Sequence, residues 1–192
     1  MCINGAGIMY RWLRNQSSAI SYEAMNKEAS KIPIGSEGLI ILPFGNGAER
    51  MLGNLNIGTQ FCNINLNQHS KSHLYRAALE GIAFSFVYGM EILKNDNAEI
   101  KVIRAGNDNL FRSEIFANTL STLIGYEIEI YNTTGAVGAA RAAGLIDKDF
   151  SRFGKNISEN DHVMTFKPIE NKTPYHNAYQ NWKIELDKHI KK

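Results

Sequence analysis

Cysteine is nearly absent: Cys2 and Cys62 are the only two in 192 residues. They make no CxxC pair and no framework of the kind that staples small secreted domains. Two reduced thiols in a cytoplasmic protein are therefore expected. Proline, at four residues of 192, is sparser than the roughly 5% of an average chain. Charge of one sign is also missing, since 21 Lys and Arg stand against 19 Asp and Glu for a net charge of +2. No basic run is interleaved with aromatics, so a nucleic-acid partner is not expected. No apolar run approaches the roughly 18 residues that span a bilayer. The start lacks a basic region followed by a continuous apolar one, so neither a signal peptide nor a membrane partner is expected.

What remains is a chain with 44% hydrophobic residues, long enough to bury a sizeable core. Gly7 to Asn15 reads as a short helix with Ile8, Trp12 and Leu13 on its buried face. Ser21 is placed to cap a second helix that ends before Pro33. The continuous apolar run LIILPF (39–44) reads as a strand covered on both faces, as in a parallel sheet. GTQFCNINL (58–66) reads as a second extended piece. From Ser70 to about Leu93, Leu74, Ala77, Ala78, Gly81, Ile82, Ser85, Tyr88, Gly89 and Ile92 recur at helical spacing on one broad face. So many small residues, two of them mid-helix glycines, imply close approach by another backbone.

EIKVIRAG (99–106) is a strand running into a turn. An amphipathic helix follows, with Phe111, Ile115, Leu120, Leu123 and Ile124 inward and Gly125 as its stop. YEIEIYN (126–132) alternates like a strand, and TTGAVGAARAAGL (133–145) is a helix of small residues expected to pack tightly. Residues 147–174 read as irregular and 175–190 as a C-terminal helix. Alternation of helix and strand over 39–144 gives an α/β layered fold, taken as one domain over 1–192.

Candidate sites are few. His69 and His73 have the spacing of two ligands on a helix face. Ser70, however, stands where a zinc protease motif needs glutamate, and no third ligand is evident, so no metal site is expected. Glu80 is either a general base or a structural carboxylate paired with Arg76 one turn earlier. Asn46-Gly47 with Glu49 and Arg50 forms a polar loop directly after a buried strand. In VIRAGNDNLF (102–111), Gly106 lets a flat ligand or another backbone approach. Asn109 either caps the next helix or reads a ligand with its amide. From these residues alone, a site and an ordinary corner remain equally open.

The order of motifs narrows the choice. LIILPFGNGAERML, HSKSHLYRAALEGIAFSFVYGMEIL, KVIRAGNDNLF and YNTTGAVGAARAAG, in that sequence, resemble the C-terminal domain of the FGGY family of carbohydrate kinases, nearest to its bacterial xylulokinase branch. INGAGIMYRWLRN and AYQNWKIELDKHI extend the resemblance over nearly the whole chain. It implies an actin-like ATPase (ribonuclease H-like) fold, with transfer of the γ-phosphoryl group of MgATP to a sugar hydroxyl, most simply D-xylulose to xylulose 5-phosphate. By resemblance, Ala105, Gly106, Asn107 and Asn109 form the adenosine-binding turn. Gly7 matches a second nucleotide-contacting glycine, and Gly45 opens the family's Gly–Glu–Arg loop. ATP or ADP is the implied partner, with Mg2+ held mostly outside these residues.

Two departures stand out. Asp108 puts negative charge where the family favours a small residue, which suits a base or ribose contact better than a phosphate. The family's catalytic Asp and first strands belong upstream of the segment matched by Met1. No catalytic residue is therefore assigned here, and the chain alone is expected to be inactive, with sugar bound through an N-terminal domain. An unpaired sheet edge would favour homo-oligomers. An inert nucleotide- or partner-binding module is the alternative.

Overall fold

The computed structural model describes residues 3–95, 102–144 and 161–191, arranged around one long buried helix. In chain order the elements are α1 (Ala6–Gln16), α2 (Tyr22–Ala29), β1 (Ile40–Phe44), β2 (Gly58–Cys62) and α3 (Lys71–Asn95). They continue with β3 (Ile103–Gly106), α4 (Glu114–Ile124), β4 (Ile128–Tyr131), α5 (Gly135–Ala143), β5 (His162–Phe166) and α6 (Thr173–Ile190).

The sequence assigns α3 one broad apolar face, but the structure buries it almost all round from His73 to Ser85. α1, α2, α4, α6 and β1 all pack against it, which is why its apolar residues do not keep to one stripe. Gly81 shows why small residues are needed. A Cβ there would stand 2.1 Å from the carbonyl oxygen of Ile41 in β1. The same oxygen accepts the Trp182 indole N–H at 3.0 Å, so α3 and α6 together cover this flank of β1. Phe44, Phe84, Tyr88 and Tyr179 ring Trp182 with centroids 5.7–6.4 Å apart in successive pairs, in the offset and edge-on range aromatics prefer.

β1 is buried as expected, but not in a parallel sheet. Its ladder is antiparallel to β2, from Ile40 opposite Cys62 to Phe44 opposite Gly58, and helices supply the remaining cover. A second sheet has the order β3-β4-β5. β3 and β4 are parallel, joined by the α4 crossover, and β5 is antiparallel to β4. β4 is therefore central, with Ile128 and Ile130 fully buried, while β3 is an edge among the described residues.

Local signals place several boundaries. Ser21 accepts the Ala24 N–H and starts α2. Ser113 accepts the Phe116 N–H and starts α4, and Gly125 ends it at φ +76°. Of the two roles open to Asn109, capping that helix is not the one it takes; it sits at φ +48° in a short 3-10 turn, Asn109–Arg112. The buried face of α1 is Ala6, Met9, Tyr10 and Leu13 rather than Ile8, Trp12 and Leu13. Ile8 and Trp12 are 41% and 48% exposed, because α3 and β1 meet the helix one position round from the face those residues define.

Two further expectations change. Within 147–174, read as irregular, His162–Phe166 is a strand paired to β4; residues 147–160 lie outside the described residues. α5, expected to pack tightly, has no buried residue, and a Cβ on Gly135 or Gly138 would meet nothing within 4 Å. Small side chains permit close approach without compelling it.

Glu80 is structural. It is 2% exposed, receives Arg76 Nε at 2.5 Å, and accepts from the Gly35 N–H and the Ser36 hydroxyl. Burial raises its carboxyl above the ordinary range against the pull of those partners, Arg76 foremost. The pair anchors a turn in which Gly35, Ser36, Glu37 and Gly38 all have positive φ, a conformation costly for Ser36 and Glu37 without such support.

Candidate functional site

The turn from β3 to α4 is pinned from below. Gly106 lies against the next strand's exit, where a Cβ would stand 2.5 Å from the Thr133 carbonyl oxygen. The glycine therefore admits a backbone here. Asn107 donates its N–H to the Tyr131 carbonyl at 2.8 Å, and its own carbonyl accepts Arg112 Nε at 3.3 Å. These contacts leave Asn109 projecting, exposed, from the outer side of the turn.

Opposite it stands Gly7 of α1. The two line one cavity of about 290 Å³ together with Tyr10, Tyr22, Glu23, Asn26, Leu79, Leu110, Arg112 and Ser113. α1, α2, α3 and the 109–113 turn each supply a wall. A Cβ on Gly7 would meet nothing within 4 Å, so a side chain there would have open space to enter. Tyr10 and Tyr22 stack at 5.8 Å between centroids, and the Arg14 guanidinium covers the Tyr22 ring at 4.9 Å. The Tyr10 hydroxyl donates to Asn26 Oδ1 at 2.8 Å, which fixes the Asn26 amide and leaves its NH2 as the donor end. Burial pushes the Tyr10 phenol well above its ordinary pKa, helped by Tyr75 and Tyr22, so it stays a donor. The Glu23 carboxyl is held below the usual range by its own backbone N–H, the Ser21 hydroxyl and the charges of Arg112 and Arg14.

The partly exposed Tyr22, the fixed Asn26 amide, the Asn109 amide and one arginine, in a space near the lower limit for small-molecule pockets, suit a flat heterocycle with a sugar. They do not suit a triphosphate. A second hollow, also of about 290 Å³, opens on the other side of the turn and is lined by Arg104, Ala105, Gly106, Asp108, Tyr131, Thr133, Thr134 and Gly135. It lies at the carboxyl ends of β3 and β4, the edge where open α/β sheets bind ligands. Its Arg104 is committed to Glu129 at 2.9 Å and lies over the Tyr131 ring.

The six residues singled out in the sequence are thus divided. Gly7 and Asn109 share the first cavity, Ala105 and Gly106 line the second, and Asn107 ties the turn to β4. Gly45 is elsewhere, in an apolar groove with Gly5, Ile8, Met9, Trp12, Gly58, Thr59 and Phe61. Its hydrogen faces Thr59, whose Oγ1 would lie 2.2 Å from a Cβ. Sequence reasoning missed Tyr10, Tyr22 and Asn26, whose convergence depends on how α1 and α2 fold together and leaves no local signal.

Metal chemistry finds no foothold at the histidines. His69 Nδ1 accepts the Asn65 N–H at 3.0 Å, and His73 Nδ1 accepts the Ser70 N–H at 3.1 Å. Both rings must then carry their proton on Nε2, which faces the Glu37 carbonyl and carboxylate respectively. A metal on Nε2 would need the opposite tautomer. Among the described residues no group of three His, Cys, Asp or Glu side chains could hold a metal, and no helix is long and apolar enough to cross a membrane.

Comparison with known proteins agrees with this architecture. The sequence model of the FGGY family of carbohydrate kinases, C-terminal domain, matches residues 1–145. A gluconokinase of Bacillus subtilis is 28% identical over 140 residues, 67% of this chain and 27% of that protein. A xylulose kinase of Haemophilus influenzae is 25% identical over 173 residues, 87% of this chain and 34% of that protein. The chain therefore spans about a third or less of the length of these curated relatives. The crystal structure of Plasmodium falciparum glycerol kinase with ADP superposes with a TM-score of 0.77 at 19% identity, covering 97% of this chain and 37% of that one. At that identity the likeness shows the fold alone, the actin-like ATPase fold.

Proposed function

This chain belongs to the FGGY family of carbohydrate kinases and carries its C-terminal domain, and on that premise we propose that it is the ATP-side part of a sugar kinase. The whole enzyme would move the γ-phosphoryl group of ATP onto a sugar hydroxyl, with D-xylulose as the sugar and xylulose 5-phosphate as the product. The observation that carries this reading is the meeting of Gly7 and Asn109, distant in sequence, across one cavity with two stacked tyrosines. An adenosine there would set its base against the exposed part of Tyr22 and its polar edge toward Asn26 and Asn109. The second hollow, with Asp108 on its wall, would repel phosphates brought close to that carboxylate.

Phosphoryl transfer needs positioning and charge neutralisation more than covalent help from the protein. The share of this chain is the positioning: it holds the nucleoside end so that the triphosphate projects away from the cavity. Mg2+ would arrive with the phosphates. The described residues offer it no cluster of ligands. The general-base carboxylate is assigned to the N-terminal domain, as is most of the sugar site, and the chain by itself is inactive. The relatives carry different sugar names, gluconokinase and xylulose kinase, and the motif resemblance to the xylulokinase branch supports xylulose. A cytoplasmic location follows from the same reading.

The test is an ATP-dependent phosphorylation assay of the purified chain with D-xylulose, gluconate and glycerol, run beside calorimetric titration with ADP. Saturable ADP binding with no turnover is the expected result. Phosphorylation of any of the three sugars by the chain alone would overturn the assignment of the base to another domain. Absence of ADP binding would overturn the nucleoside site.

A further inference from the structure

The loop after β1, Gly45–Arg50, does not line the Gly7–Asn109 cavity; it grips the helix that does. Glu49 in this loop is fully buried, at 0% exposure. Its two carboxylate oxygens accept the Asn4 N–H at 2.9 and 3.3 Å. The Asn4 amide returns a bond to the Ala48 carbonyl at 2.9 Å, and Asn46 Nδ2 donates to the Asn4 carbonyl at 3.1 Å. The next residue, Gly5, is pressed so closely on β1 that a Cβ would lie 1.9 Å from the Pro43 carbonyl oxygen. Ala6 then begins α1, and Gly7 is its second residue.

α1 has no side-chain cap of its own at Gly5. Glu49 brings a carboxylate from a distant loop to the residue that leads into the helix, where negative charge meets the positive end of the peptide dipoles. The backbone that carries the carboxylate is braced from behind. The Glu49 N–H donates to the Leu55 carbonyl, and the Glu49 carbonyl accepts the Leu52 and Asn54 N–H groups. A buried carboxylate is costly unless it is well bonded, so its presence here fits a defined contact better than incidental packing.

We propose that Glu49 is a positioning residue for the nucleotide cavity: by clamping Asn4 it sets where Gly7 stands opposite Asn109. The proposal rests on reading that cavity as the nucleoside site. Met9, Tyr10 and Leu13 anchor the middle of α1 in the core, so loss of the clamp loosens only the chain entry and first turn, the part of a helix that opens most readily. Glu49→Ala removes both charge and acceptor. Glu49→Gln keeps an acceptor for the Asn4 N–H and loses the charge.

The experiment uses the whole 192-residue chain and a control, Leu186→Ala, which opens the core in α6, an element that makes none of the clamp's hydrogen bonds. ADP affinity, melting temperature and amide exchange by mass spectrometry are measured for each. Glu49→Ala is expected to weaken ADP binding at least about tenfold, the scale of one charge-assisted hydrogen bond, and Glu49→Gln by less. Leu186→Ala is expected to melt lower while keeping ADP affinity within about twofold wherever the chain is folded. Exchange should quicken in Glu49→Ala only over residues 3–10. Unchanged ADP affinity in Glu49→Ala, or a loss that simply follows melting temperature across both variants, would overturn the proposal. If the unmodified chain binds no ADP, the nucleoside reading fails and the exchange measurement alone decides. Fast exchange confined to residues 3–10 then sustains the clamp, and a uniform or absent change overturns it.

Discussion

Gly81→Ala separates helix propensity from packing at the centre of the fold. Alanine favours an exposed helix over glycine by about 1 kcal/mol, so propensity alone would stabilise α3. The new Cβ would lie 2.1 Å from the Ile41 carbonyl oxygen and 3.6 Å from Trp182 Nε1. The obstacle is strand backbone, which cannot swing aside like a side-chain tip, so α3 and β1 must part. Such overpacking costs about 1–3 kcal/mol. If the 3.0 Å bond from Trp182 to Ile41 opens, the buried partners left unsatisfied add about 1–3 kcal/mol. After subtracting the propensity gain, the net loss is about 1–5 kcal/mol, which for a chain of this size lowers Tm by roughly 2–20 °C. Gly138→Ala is the matched control: it lies in α5 with nothing within 4 Å of the added Cβ and should gain up to about 1 kcal/mol. Scanning calorimetry and urea melts of both variants give the comparison. A Gly81→Ala chain as stable as the parent would show that β1 does not press on α3 there.

Other substitutions test other parts of the fold. Glu80→Ala strands the buried Arg76 guanidinium and the Gly35 and Ser36 donors, so urea melts should lose about 3–5 kcal/mol; a loss below about 1 kcal/mol would contradict its anchoring role. Ser113→Ala removes the α4 cap and should cost about 0.5–2 kcal/mol, read by the same melts. The Tyr131 hydroxyl and Arg104 hold the Glu129 carboxyl below its ordinary value of 4.5. A depressed carboxylate contributes stability above its unfolded value and loses it as pH falls through the folded one. The Tm gap between the parent and Glu129→Gln should therefore be steady near pH 7 and narrow below about pH 4.5; a gap that widens in acid would refute the pairing.

Features set by short-range chemistry were legible in the sequence. Ser21 and Gly125 sit where a hydroxyl cap and a left-handed stop have local sense, and the small residues of α3 announced the backbone contact found at Gly81. Features set by tertiary partners were not. Trp12 and Ile8 look like core by composition, yet the face that meets α3 and β1 is Met9, Tyr10 and Leu13. β1 has the apolar run of a parallel strand, but its partner is the antiparallel β2, and helices supply the burial a parallel sheet would have given. Asn109 has the chemistry of a cap, yet its positive φ turns it outward and Ser113 does the capping. Of the candidate site, motif order singled out Gly7 and Asn109, which line one cavity, whereas Tyr10, Tyr22 and Asn26 reach it only through the packing of α1 and α2 and leave no local signal.

Gly7→Leu, followed by ADP titration calorimetry, tests the nucleoside site most directly. The Gly7 Cβ position is open, so the first side-chain carbon of the leucine enters without displacing backbone, and better helix propensity should hold or raise Tm. Its side chain would occupy the space between Gly7 and Asn109. A nucleoside site there predicts saturable ADP binding by the parent chain and at least about tenfold weaker binding by the folded variant, about 1.4 kcal/mol. Equal ADP affinity in a stably folded Gly7→Leu chain would contradict it.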